Sequence, residues 1–219
     1  AGLLPEALAG ILGLLGAAIA YYAYISSPVQ RESSQRMILI VCGVVAFFSI
    51  VLPSASSIRT NIAEARYIPS KAMTPTLQVN DRVIVDKLTY RSQDPQRGDI
   101  IVFTATEEAA SVCGGGTNPS DQSLAFIQRI VGLPGEKMEI KQGKVLIGDR
   151  PIQEPYIQEP PEYQYGPKVI PQKSYFVLGD NRNNSCDSHY WGFVPRENLI
   201  GRANKIFWPP ERMRSLSNS

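Results

Sequence analysis

Residues 7–25 carry no charge and consist only of Ala, Leu, Ile, Gly and Tyr. That is about the length a helix needs to cross a hydrocarbon core. A lipid-embedded segment must satisfy its backbone polar groups internally, which leaves it the helix as its conformation. A second apolar run, Met37 to Leu52, is short for a span but extends through the small residues Ser54 to Ile58. The two runs predict a transmembrane hairpin over residues 1–58, with helices at about 7–25 and 37–58 and a linker at 26–36. The linker holds Arg31 and Arg36 against Glu32, so the positive-inside tendency places it in the cytoplasm and everything after Arg59 on the periplasmic or lumenal side. A cleaved secretory signal fits the first run poorly, since neither a basic leading region nor a small-x-small site before Pro28 is present.

The rest of the chain, residues 59–219, reads differently. Short Val/Ile-rich runs alternate with Gly and Pro signals, the pattern of a mainly β domain. Strands are predicted at Arg82 to Leu88, Asp99 to Thr104, Ala125 to Val131, Lys137 to Ile140, Lys144 to Ile147, Ser174 to Leu178 and Leu199 to Phe207, with turns at Gln142-Gly143 and Gly148-Asp149. Glu107 to Ser123 reads as a mobile surface loop, and Glu154 to Pro171 as a Pro-rich crossing without sheet hydrogen bonds.

In this 219-residue chain a net charge of +2, not gathered into a basic stripe, argues against nucleic acid as a partner. With one histidine and no Cys/His cluster, neither a metal site nor another cofactor is expected. Cys42 lies in the second apolar run; Cys113 and Cys186 fall on the more oxidising side and are candidates for a disulfide, although spacing does not fix their distance.

Three tracts carry chemistry, in order. They are Ile68-Pro69-Ser70-Lys71-Ala72-Met73-Thr74-Pro75-Thr76-Leu77, then Phe126-Ile127-Gln128-Arg129-Ile130-Val131-Gly132-Leu133-Pro134-Gly135-Glu136, then Gly179-Asp180-Asn181-Arg182-Asn183-Asn184-Ser185-Cys186-Asp187-Ser188-His189-Tyr190-Trp191-Gly192. Taken alone, Ser70 would be a turn residue and Asp180-Asn181-Arg182 a hairpin turn. Together with Asn80 to Lys87 and Arg97 to Phe103, the set resembles the boxes of bacterial type I signal peptidases, in the phrasing of the cyanobacterial and plastid branch. The resemblance covers about residues 64–210 and implies a membrane-anchored, strongly bent antiparallel β-domain.

That family removes signal peptides from exported proteins with a Ser/Lys dyad: a serine hydroxyl attacks the peptide carbonyl, and a desolvated neutral lysine takes its proton. Carried over by motif, the nucleophile position holds Ala72 and the general-base position holds Gln128. Alanine has no nucleophilic atom and an amide no useful basicity. The resemblance assigns Ser70, with the backbone N–H of residue 72, to an oxyanion hole. It assigns Ser185 to a hydrogen bond with the base, Arg129 with Asp180 to one supporting ion pair, and Asp187 with His189 to another. Shallow pockets for the small side chains of an Ala-x-Ala signal peptide are expected from Ile68, Pro69, Met73, Leu77, Ile84, Val102 and Ile127.

The expectation is a signal-peptidase scaffold that binds signal peptides of exported preproteins and, with both dyad groups absent, does not cut them. The alternative is a natural pseudoprotease serving as a binding or structural subunit of a larger membrane complex. Either would be integral to a plasma or thylakoid membrane and in contact with its lipid. Ser70 with Lys71 is rejected as a replacement dyad, because neighbours in an extended segment diverge.

Overall fold

In this computed structural model the described residues are Tyr22, 41–46, 61–113 and 125–216. The chain divides into two units, Ala1–Ile62 and Ala63–Ser219. In the first, Tyr22 and residues 41–46 are helical, and the remainder of both expected membrane helices lies outside the described residues. Among the described residues no helix is long and apolar enough to cross a membrane.

The second unit is mainly β, and all its strand pairs are antiparallel. Its larger sheet runs in the order β1 (Ala63–Tyr67), β2 (Arg82–Asp86), β11 (Leu199–Trp208), β3 (Ile100–Thr104), β4 (Ala125–Gly132), β9 (Ser174–Leu178) and β10 (Val194–Pro195), with β12 (Arg214–Ser215) beside β11. A smaller sheet orders β7 (Arg150–Pro151), β6 (Lys144–Ile147), β5 (Lys137–Lys141) and β8 (Tyr165–Val169).

Side-chain period explains where the core lies. In β2, Val83 and Val85 are buried while Arg82 is exposed, the two-residue alternation of a one-sided strand. β3 has no polar face. Ile100 and Val102 enter one cluster with Ile68, Met73, Leu77 and Ile206, whereas Ile101 and Phe103 enter another with Ile130, Val177 and Trp191. A strand covered on both faces reads as a continuous apolar run, as Ile-Ile-Val-Phe does here. The β5–β6 and β6–β7 turns place Gln142, Gly143, Gly148 and Asp149 at positive φ, the backbone that tight hairpins need.

Two expectations need correction. Glu154 to Pro171 is not free of sheet bonding, because β8 pairs with β5. Its sequence, Tyr-Gly-Pro-Lys-Val, reads poorly as a strand, and edge position is what tolerates its proline. Likewise Glu107–Cys113 is a helix whose Ala109 and Ala110 are buried, while the rest of that expected loop, 114–123, lies outside the described residues.

Candidate functional site

Tyr67 and Arg82 are partners at the end of the β1–β2 pair, so the segment between them must fold back on itself. The Ile68 N–H donates to the Asp81 carbonyl (2.9 Å) and the Asn80 N–H to the Ile68 carbonyl (3.0 Å), closing its base. Within it, the Thr74 N–H donates to the Lys71 carbonyl and the Leu77 N–H to the Met73 carbonyl. Ile68, Met73 and Leu77 sink into the core and hold the loop, which leaves Pro69, Ser70 and Lys71 exposed and Ala72 half-buried. These are bends and turns, so an opposite-face argument against Ser70 and Lys71 does not apply. Lys71 nevertheless stays exposed, without the burial a lysine base requires.

A second loop braces the first. The Asn181 N–H donates to the Ala72 carbonyl (3.0 Å) and its side-chain amide to the Lys71 carbonyl (3.2 Å). Gly179 makes this approach possible: a Cβ there would collide with the Ala72 carbonyl oxygen and with Ser185 Oγ.

Gln128 comes from β4, which pairs with β3 from Ala125 through Arg129 but with β9 only from Arg129 onward. Residues 125–128 thus present one backbone edge to which no described strand is paired. A cleft of about 290 Å³ gathers this edge, Ser70, Lys71, Ala72 and Cys186. Gln128 is 2% exposed; its Nε2 donates to the Cys186 carbonyl at 2.9 Å, and its Oε1 has no partner among the described residues. Ser185, 8% exposed, also has an unpartnered hydroxyl. Ser185, assigned by resemblance to a bond with the base position, makes no hydrogen bond to Gln128 among the described residues; Gln128 Nε2 donates to a backbone carbonyl instead. Cys186 is joined to Cys113 by a disulfide, which ties the Glu107–Cys113 helix to the cleft.

Around the cleft stands a buried polar frame. Arg129 makes two 2.8 Å bonds to Asp180, donates to the Gly98 carbonyl at 2.8 Å, and lies 3.9 Å below the centre of the Tyr156 ring. Asp187 accepts from the Gly179 N–H (3.0 Å) and meets His189 Nδ1 at 2.6 Å, while the His189 ring stacks on Tyr163. A third pair, Arg182 with Glu154, was not foreseen: Arg182 reaches both carboxylate oxygens and also the Gly179 carbonyl. Its partners are 28 residues apart in sequence, and only the improbability of a buried arginine standing alone could have pointed to it. Burial pushes the Tyr156 and Tyr163 phenols well above their ordinary range, and the nearby charges of Glu154 and Asp187 add to that, so both rings stay neutral.

Of the seven apolar residues expected to line substrate pockets, Pro69 and Ile127 border the cleft. Ile68, Met73, Leu77 and Val102 instead belong to the core, where closing the loop onto the sheet requires them, and Ile84 is half-buried on β2. Ala125 and Phe126 supply apolar lining that the motifs did not single out. Chemically, the cleft offers a methyl group at 72 and a neutral amide at 128. It also offers the Ser70 hydroxyl and the Ala72 N–H, neither of which is hydrogen-bonded among the described residues.

Residues 40–208 match the family described as signal peptidase, peptidase S26. The chain belongs to that family. Signal peptidase I of Leptolyngbya laminosa is 55% identical over 168 residues, covering 77% of this chain and 79% of the relative. Probable signal peptidase I-2 of Synechocystis sp. is 48% identical over 189 residues, or 86% of this chain and 82% of that one. Thylakoidal processing peptidase 1, chloroplastic, of Arabidopsis thaliana is 39% identical over 155 residues, which span 71% of this chain and 45% of the plant protein. The resemblance to the cyanobacterial and plastid branch agrees with these relatives.

Proposed function

We propose that this signal-peptidase scaffold binds the C-terminal region of signal peptides in the cleft beside β4 and, with Ala72 and Gln128 in place, does not cleave them. The observation that carries the reading is that residues 72 and 128 border one cleft with no nucleophile at the first and no base at the second. An extended peptide can add to the edge at 125–128 that no described strand pairs, and its carbonyl can take the Ser70 and Ala72 donors, which are unused among the described residues. Arg129–Asp180 and Asp187–His189 hold the two strands and the loop in place. In the active form, Ser at 72 and Lys at 128 would cut after small residues.

A two-helix anchor at about 7–25 and 37–58 would hold the β-domain on the periplasmic or lumenal side of a plasma or thylakoid membrane. The second reading is a natural pseudoprotease within a larger membrane complex. It is favoured by the double departure, since one substitution suffices to silence an enzyme. The test compares the chain with an Ala72→Ser/Gln128→Lys revertant on a preprotein in detergent. Cleavage by the revertant alone is expected. Cleavage by the unaltered chain would refute the assignment of positions 72 and 128, and would bring Ser70 with Lys71 back into consideration. Failure of the unaltered chain to bind signal peptide would remove the binding role.

A further inference from the structure

Gln128 holds a buried carbonyl oxygen to which no group donates among the described residues. Its orientation is set. Nε2 is engaged with the Cys186 carbonyl, so turning the amide over would oppose two acceptors, and Cys186 is itself fixed by the disulfide. A buried acceptor left without a donor is destabilising, and a ligand that supplies an N–H relieves it.

We propose that Gln128 Oε1 accepts the amide N–H of the uncleaved bond in a bound peptide, which makes the cleft selective for intact preprotein over released signal peptide. This deepens the proposed binding role and rests on it. In a trans peptide the C=O and N–H point in opposite directions across one plane. A carbonyl turned towards the Ser70 hydroxyl and the Ala72 N–H therefore sends its own N–H away from that loop. Gln128, from β4, borders the same cleft and holds the unsatisfied acceptor. A released signal peptide ends in a carboxylate, and its second oxygen would face Oε1 as acceptor against acceptor. Among the described residues Lys71 is the one charged residue bordering the cleft and favours a carboxylate, but it is exposed, so solvent and salt weaken that attraction.

The test uses the full chain in detergent and three peptides of one Ala-x-Ala sequence. One is intact across the cleavage point, one carries an ester at that bond, and one ends there as a carboxylate. Fluorescence anisotropy should show the amide binding about tenfold tighter than the ester, and the carboxylate weaker than the amide. In Gln128→Met the amide–ester ratio should fall to the small remainder left by the ester's poorer carbonyl. Equal binding of amide and ester by the unaltered chain overturns the inference whatever the variant does, as does an undiminished ratio in a folded variant. If all three peptides bind alike, the inference alone falls; if none binds, the proposed binding role falls with it.

Discussion

Replacing Asp180 with Asn should be among the most damaging single changes in the β-domain, although Asp180 carries no step of the chemistry. Arg129 and Asp180 are 1% and 0% exposed and share two 2.8 Å hydrogen bonds. The asparagine keeps one acceptor but turns an NH2 towards the guanidinium, so one bond is lost and the carboxylate charge facing the buried guanidinium is gone. Breaking a buried pair in this way costs about 3–5 kcal/mol. Gly98 and the Tyr156 ring still hold the guanidinium, which places the expected loss near the lower figure. That is a large part of the roughly 5–15 kcal/mol by which a domain is stable. Urea titration followed by the fluorescence of buried Trp191 measures it. The double variant Arg129→Met/Asp180→Leu removes both charges and should lose less than Asp180→Asn alone. A single-variant loss under about 1 kcal/mol, or a double variant worse than the single, would refute the claim that the guanidinium charge left without its facing carboxylate dominates.

Gly179→Ala should cost about 1–3 kcal/mol by overpacking and should also weaken peptide binding, because relief of the clash parts Asn181 from Ala72; a melt and a binding titration check both. The disulfide closes a loop of 73 residues, for which chain entropy predicts up to about 4 kcal/mol; a urea midpoint unchanged by reductant, with thiol labelling proving the bond open, would contradict that. For Asp81, burial alone would raise the carboxyl, but Arg212 and the Gln78 N–H outweigh it and hold it below its ordinary value. A lowered folded value gives stability that is present above the unfolded value and lost as pH falls through the folded one. The stability gap between the chain and Asp81→Asn should therefore be full at neutral pH and close in acid; a gap independent of pH would show that the charge is not what matters.

Much of the β-domain could be foreseen because its signals are local. Ser174–Leu178 and Lys144–Ile147 are alternating or uniformly apolar runs bounded by turn residues, and such runs have few other ways to bury themselves. What escaped sequence reasoning depends on distant partners. Tyr165–Val169 is a strand only because β5 offers it an edge, and Arg182 is buried only because Glu154 crosses over it. The apolar residues of the 68–77 loop were legible as apolar but not as core, since whether Met73 faces a peptide or the sheet beneath is decided by how the loop closes onto Val83 and Ile206. Position 128 shows the same limit. Its residue type excluded a base at once, yet its unsatisfied oxygen appears only when Cys186 is seen to occupy the nitrogen.

The survival of the surrounding motifs is weak testimony to activity, because most of them also do structural work. Arg129, Asp180, Arg182 and Asp187 are buried and bonded, and a chain that had lost catalysis would still need them in order to fold. Ser70 is different. It is exposed, its hydroxyl bonds to nothing among the described residues, and the loop would close without it. Selection for folding alone would let that position drift, whereas selection for holding a peptide carbonyl would keep it a donor. Ser70→Ala should therefore leave the melting temperature within about a degree, as a surface change away from such features does, while lowering signal-peptide affinity several-fold through loss of one hydrogen bond. Unchanged affinity would mean that the Ser70 hydroxyl holds no peptide carbonyl, and the peptide would then be bound without that donor.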